Sequence, residues 1–491
     1  MKSISVSAVR TGLLALAALV GAAPVSAATF VVASTADSGA GTLREAVASA
    51  IAAPGGPHVV TFNLAPDSVI VLDSGLPMIS GNLTIDASAS PGLVVDAKHG
   101  SRQLSLATNS QLTLRGFELR DGAALNAPGG CVWSDSSSSS LTIQDMVFAG
   151  CRVRATGPAR GGAINIRGSL FVYDSRFEGN VAGSLTDVAT GGAIYALGVV
   201  WMEDSVFEAN TVSSLAATTS GGAITAGTGT MTVLRSRFIG NVAEREDQPL
   251  QTYGGAVYVR NDSTTTVRQS LFFDNTAGNG AALNASTLSV NQRMDVVASN
   301  NTFVGNHAGP AVLFWNTRTE LRNNTFWKNT TQSPGGAHLL VHGGDTAFTA
   351  VTHNLFAPTA GGAPACHHYG LPAGVEGTGA NVFSDTSCAF IGQDSYLETG
   401  DLRIRGLRAT GSALHDIPVV DLFADSIVID GGNIDGEGSG APHACAAGDA
   451  RDEGRPADGD GDGLAACDIG ALELQREASL FADDFQPVLL R

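Results

Sequence analysis

Basic residues are scarce in this chain: 28 Lys and Arg stand against 46 Asp and Glu, for a formal net charge of −18. A surface of that sign repels nucleic acid and anionic membranes, so no nucleic-acid partner is expected. Long apolar runs are missing too. No stretch beyond residue 27 reaches the length of a membrane helix, so no transmembrane span is expected in the mature chain. Aromatics make up only 6% of the residues, and the few that occur recur at regular places. Cysteine pairs of the Cys-x-x-Cys type are absent, which argues against a cysteine metal site. The repeats below lack any helical apolar stripe, and this excludes helical repeats of similar length. They also lack hairpin dipeptides, which disfavours a propeller blade.

What is present is a phrase repeated four times. Gly161-Gly162-Ala163-Ile164 recurs at Gly191, Gly221 and Gly254, the last copy ending in Val257. Each copy precedes a second phrase: Phe177-x-x-Asn180, Phe207-x-x-Asn210, Phe238-x-x-Asn241 and Phe272-x-x-Asn275. A period of about 30 residues built from short alternating runs such as Ser169–Phe177 indicates stacked rungs of strand. The reading is an all-β chain, a right-handed parallel β-helix. The four phenylalanines should stack inside at about 4.8 Å. The four asparagines should form an amide ladder at a corner, where Asn tolerates a left-handed backbone. The glycine pairs should supply positive φ and close approach.

The rest of the chain divides around this array. Residues 1–27 read as a secretory signal peptide, with Lys2 and Arg10 around a short apolar run and Val25-Ser26-Ala27 at the cleavage point. Residues 28–58 hold a strand and a capping helix: Thr42 and Glu45 have capping-box spacing, and Pro54-Gly55 stops the run. That helix should cover the open end of the first rung. The β-helix occupies 59–360, with worn copies of the second phrase at Phe303, Phe326 and Phe356. Residues 361–475 form an irregular, disulfide-bearing C-terminal region, and 476–491 a tail.

Six cysteines in an exported chain suggest disulfides, and fifteen pairings are possible. Sequential pairing, Cys131–Cys151, Cys366–Cys388 and Cys445–Cys467, is locally plausible. Cys131 stands at the Ala163 position and Cys151 at the Asn180 position, so that bridge would pin the two ends of one rung. His367 and His368 read as surface residues rather than metal ligands. Residues 152–160, 181–190, 211–220 and 242–253 all link an Asn corner to the next glycine pair. They read as variable loops leaving one side of the solenoid, the usual place for a binding face. Arg152, Arg154 and Arg160 make the first basic; Glu244, Glu246 and Asp247 make the fourth acidic.

The two phrases resemble the repeats of the polymorphic outer membrane proteins, a β-helical surface family. The ends resemble secreted right-handed β-helix proteins with a "choice-of-anchor" C-terminal region. The opening Gly39-Ala40-Gly41-Thr42-Leu43-Arg44-Glu45-Ala46 carries this likeness, as do Ser426–Asn433 and Asp458–Glu473 near the close. Asp449–Pro456 departs from the group, which more often has Gln before the Arg. The resemblance implies export and cell-surface display, and no particular reaction. The tail, Leu480-Phe481-Ala482-Asp483-Asp484-Phe485-Gln486, resembles aromatic-acidic sorting signals of exported Gram-negative proteins.

Arg167, Arg176, Arg235, Arg237 and Arg260 do not converge with paired Asp, as a polyuronate lyase would need. No Gly-His-Gly occurs, and Asp483-Asp484 falls in the tail. Asp174 and Asp204, one rung apart, have a spacing that suits retaining glycoside hydrolysis, but their repetition argues for scaffold. The expected function is therefore non-catalytic surface display or adhesion toward a host-surface, carbohydrate or protein ligand. A polysaccharide lyase or glycoside hydrolase and a structural envelope component are the alternatives. One metal motif stands out. Asp458, Asp460 and Asp462 with Gly463 reproduce the start of a calcium loop, although the closing position holds Ile469 instead of Glu.

Overall fold

The computed structural model describes residues 27–475, apart from 262, 288–293, 333–334, 344–347, 370–374, 378, 392–394, 398–399, 410–416 and 435–443. The expected signal peptide, except Ala27, and the tail therefore lie outside the described residues. Three long sheets run the length of a parallel β-helix. The first has 13 strands, from Thr29–Val32 to Val375–Gly377. The second has 13, from Val69–Val71 to Ser395–Leu397. The third has 10, from Leu104–Ser105 to Cys366–Tyr369. Pairing is parallel and in register: Leu141, Leu170, Val200 and Met231 follow one another across the first sheet. Alternation decides which side chains turn inward. In Ser169–Tyr173, Leu170 and Val172 are buried while their neighbours are half-exposed.

The aromatic stack forms and is longer than four rings. Phe148, Phe177, Phe207, Phe238, Phe272, Phe303, Phe326 and Phe356 stack with centroids 4.8–5.0 Å apart. All are fully buried, and each ring contributes roughly 1.5–3 kcal/mol through burial. The asparagine ladder forms beside it. Asn180 Nδ2 donates to Asn210 Oδ1 at 2.9 Å and to the Phe148 carbonyl at 2.9 Å. The pattern repeats through Asn241, Asn275, Asn306 and Asn329, and the last of these donates to His338 Nδ1 at 3.0 Å. The left-handed residue at this corner is not the asparagine. It is the residue before it: Gly179 at φ 60°, Ala209 at 52°, Gly240 at 60° and Asp274 at 58°. The asparagine is recruited for its amide, because both its donors and its acceptor are used inside the core.

A second ladder lines the corner between the first and second sheets. The Ser205 hydroxyl accepts from Ser175 N–H at 3.2 Å, and Ser236 and Ser270 continue the series. From Asn301 onward amides take over, through Asn324 and Asn354 to Asn381. The glycine pair splits its two tasks. Gly191 takes φ 67°, while a Cβ on Gly192 would stand 1.9 Å from the Gly222 carbonyl oxygen.

Helix Leu43–Ala52 closes the N-terminal end. Thr42 caps it by accepting from Glu45 N–H, and Leu43, Ala46, Val47 and Ala50 are buried on the first rungs. At the other end, the region beyond Leu397 folds back along the outside of the solenoid. Its short ladder, Ile404–Arg408 with Val419–Leu422, is antiparallel. Leu402, Leu422, Val428, Ile429 and Ile469 pack against Leu355 and Val382. Polar contacts fix the register: Asn300 Nδ2 donates to the Gly448 carbonyl at 2.7 Å, and Asn323 Oδ1 accepts from Ala446 N–H at 3.1 Å. Arg455 and Glu473, both fully buried, pair at 2.9 Å at the heart of this region. The disulfides are Cys131–Cys151, Cys366–Cys388 and Cys445–Cys467. No described helix is long and apolar enough to cross a membrane.

Candidate functional site

The four segments read as variable loops are strands, and this corrects the sequence reading. After each Asn corner the chain leaves the core turn, runs outward as one strand and returns as another before the glycine pair. The outgoing strands form a seven-stranded sheet that includes Arg152–Ala155, Val181–Ser184, Thr211–Ser214 and Val242–Arg245. The returning strands, Ala159–Arg160, Ala189–Thr190, Thr219–Ser220 and Thr252–Tyr253, form a four-stranded one. Between them lies a small core of Val153, Ala182, Val212, Ala243, Ala159 and Ala189. Small side chains let the two sheets approach closely, so the solenoid carries a thin lobe along one side. The signal was in the sequence: a small apolar residue stands two places after each corner, as in Asn180 and Ala182 or Asn241 and Ala243.

The neck of the lobe holds the first disulfide. Cys151 occupies the first rung of the asparagine ladder and its N–H donates to Asn180 Oδ1 at 3.0 Å. Cys131 and Cys151 are fully buried with their Cα atoms 5.7 Å apart. The bridge ties the beginning and end of that core turn.

The outer face of the outgoing sheet forms a groove of about 780 Å³. Arg152 and Arg154 stand on one strand, Gly183 and Ser213 keep the floor low, and Leu125, Leu185 and Leu215, each more than half exposed, add apolar lining. His99 and Asp121 close the lower end, 3.3 Å apart. The groove crosses several rungs, so it suits an elongated partner with both acidic and apolar groups. In a chain of net charge −18, two adjacent arginines are a local reversal of sign.

The carboxylates weighed for catalysis lie elsewhere. Asp174 and Asp204 belong to the left-handed corner between the first and second sheets, at φ 47° and 50°. Both Asp204 oxygens accept from Arg235 at 3.0 Å, and Glu203 pairs with the same guanidinium. These hydrogen bonds to Asp204, ahead of the opposing effect of burial, raise the Arg235 pKa. His367 and His368 are half-buried, with their rings against Tyr369 and Phe390.

Of the three aspartates in the calcium motif, the structure gathers two and adds another. Asp458 and Asp460 lie with Asp430, their ligand atoms within 4.8 Å of one another. Asp462 turns to its own loop and accepts from Leu464 N–H at 2.7 Å. Asp430 accepts from Gly459 and Asp460 N–H at 2.9 and 2.8 Å, and burial raises its pKa. Three hard carboxylates fit a calcium ion in kind, and waters or carbonyls would have to complete six or more ligands.

Residues 82–326 match a protein-family model described as the right handed beta helix region. No curated protein matches the chain. Fold and family match agree: this is a right-handed parallel β-helix protein.

Proposed function

We propose that this protein is exported and acts, without catalysis, as a surface display or adhesion module whose contact surface is the lobe face. The groove beside Arg152 and Arg154 carries this reading. It crosses rungs, as a site for an extended carbohydrate or protein ligand on a host surface would. The repeated ionisable residues favour scaffold over chemistry: Asp204 is saturated by Arg235, and its column is a corner of the coil. Likeness of the chain ends to the choice-of-anchor proteins supports cell-surface placement. Calcium at Asp430, Asp458 and Asp460 would stiffen the C-terminal region rather than take part in binding.

The test is capture of the mature protein on glycan and extracellular-matrix arrays, run beside Arg152→Glu. Binding that the variant loses supports the reading. Release of reducing ends or unsaturated uronate from polysaccharides by the pure protein would replace it with the enzymatic one. Resistance of the chain to protease on intact cells would favour an internal envelope component.

A further inference from the structure

The exposed face of the outgoing lobe sheet has a symmetry in its side chains that a single copy leaves unused. Three columns of residues run along it, parallel to the solenoid axis. In the middle column, Arg154, Gly183, Ser213 and Glu244 are paired in register across four strands. Arg154 and Glu244 are exposed, and the two small residues lie between them. Three strand spacings separate the charges, about 14 Å, so they do not pair with each other. No ion pair among the described residues takes in either. In the outer column Leu185 and Leu215 follow the paired Ser184 and Ser214, and they are 53% and 54% exposed. In the inner column Val181, 36% exposed, pairs with Thr211.

A two-fold axis parallel to the strands, midway between Val181–Ser184 and Thr211–Ser214, turns this face onto itself. It reverses the solenoid axis and keeps each column opposite its own counterpart. Arg154 then faces Glu244 of the second copy, and Glu244 faces Arg154. Leu185 faces Leu215 in both directions. Gly183 opposes Ser213 at the centre, where bulk would hold the faces apart. We propose that the lobe face docks a second copy of this chain in antiparallel orientation. The alternative axis, along the solenoid, sets Arg154 against Arg154 and Glu244 against Glu244, and like charges so placed oppose association. A self-complementary patch of this kind defines a closed isologous pair.

The patch spans three columns and four strands, on the order of 300–400 Å² a side from strand geometry. A standard stable interface buries about 800 Å² a side, so the pair is weak in solution and gains from display of many copies on one surface. Antiparallel pairing puts the C-terminal ends of the two solenoids at opposite ends of the pair, as on two facing surfaces. The inference adds a partner to the adhesive reading without depending on it, because ligand capture and self-association are read separately.

The experiment is sedimentation of the mature protein from about 10 μM to about 1 mM, a range that brackets weak association. Wild type is expected to dimerise with rising concentration and less so in high salt. Arg154→Glu alone and Glu244→Arg alone each place like charges at both contacts, and each should raise the dimer Kd at least tenfold. An equimolar mixture of the two variants restores opposite charges at both contacts and should associate like wild type. A simple loss of folding would not be repaired by mixing. A wild type that stays monomeric throughout, single variants that associate unchanged, or a mixture that stays monomeric would each overturn the proposal. Wild-type protein that dimerises but is captured by no array, or that is captured but stays monomeric, shows which of the two readings fails.

Discussion

The asparagine ladder ends on a histidine, and that ending should make one end of the solenoid sensitive to acid. His338 is fully buried. Its Nδ1 accepts from Asn329 Nδ2 at 3.0 Å, and its Nε2–H donates to the Ala357 carbonyl at 2.6 Å. Only the neutral ring satisfies both, since a second N–H would point at the Asn329 amide donor. Burial accordingly lowers its pKa from 6.5 to about 4, with the Ala357 hydrogen bond and Asp385 opposing the shift. The sign follows from the two states. Above pH 6.5 the ring is neutral folded or unfolded. As pH falls toward 4 the unfolded chain binds the proton and the native one does not, so stability is lost through this window. The full loss is about 3 kcal/mol. A solenoid opens locally because each rung contacts only its neighbours. Hydrogen exchange should therefore show protection falling at Thr325–Trp327 and Leu339–His342 between pH 7 and pH 4.5, corrected for intrinsic rates. His338→Gln cannot titrate and should show much less of this fall, while changes from carboxylates elsewhere cancel in the comparison. An equal fall in wild type and variant would refute the argument.

Three other outcomes are expected. Phe238→Ala leaves a hole in the middle of the stack and should cost about 3–5 kcal/mol, read as a lower urea midpoint. Asp468 has the opposite pH response to His338. Burial, then the charge of Glu473, pushes its pKa up to about 8. The folded form keeps a proton that the unfolded form sheds near pH 4, so its contribution is full below that point and is lost as pH rises to about 8. Exchange at Val428–Ile429 and Cys467–Leu474 should quicken across that range in wild type and not in Asp468→Asn. Calorimetric titration with calcium should give heat that Asp430→Asn removes and Asp462→Asn retains; equal heats in both variants would count against the grouping seen here.

Legibility in the sequence tracked repetition. Phe177, Asn180 and Gly191-Gly192 recur at a fixed period, so each new copy confirmed the slot it filled. The second ladder occupies an equally regular slot, two residues before each stacked phenylalanine, but it changes chemistry partway. Ser175, Ser205, Ser236 and Ser270 give way to Asn301, and a pattern sought by residue type breaks there. Each serine accepts from the neighbouring backbone N–H and donates to the carbonyl two residues before it, whereas asparagine bonds the next side chain of the ladder, and both fill the space. The lobe was hidden for another reason. Its strands bury small residues, Ala and Val with Ser and Thr, and two-residue returning strands such as Ala189–Thr190 are too short to show alternation. Asp430 was out of reach because 28 residues separate it from Asp458 and no repeat relates them. The docking of the C-terminal region brings them together.

That docking explains a change in one column that repetition alone leaves obscure. The left-handed corner between the first and second sheets is occupied in order by Asp145, Asp174, Asp204, Arg235, Gln269, Asn300, Asn323 and His353, all at positive φ. The backbone demand is the same at each, and Asn, Asp and His meet it more readily than most residues. Their neighbours are not the same. Asp174 is exposed, and Asp204 answers to Arg235 one rung away. From Gln269 onward every member faces the returning C-terminal region. Gln269 Nε2 donates to the Asp449 carbonyl at 2.9 Å, and Asn323 Nδ2 donates to that of Asp468 at 3.3 Å. His353 Nε2 accepts from Asn433 N–H at 3.2 Å. Charged side chains would be costly at these buried contacts unless paired, whereas amides and a neutral imidazole match backbone donors and acceptors without a counter-ion. The switch from charge to amide within one structural slot thus marks where the outside of the solenoid becomes an interface. The same logic separates scaffold from function along the lobe. There the middle column, which continues to Leu125 beyond Arg154, keeps small residues at Gly183 and Ser213, while Arg154 and Glu244 on either side of them carry opposite charges. A column held by backbone geometry alone gives no reason for that reversal, and a partner that meets both charges does.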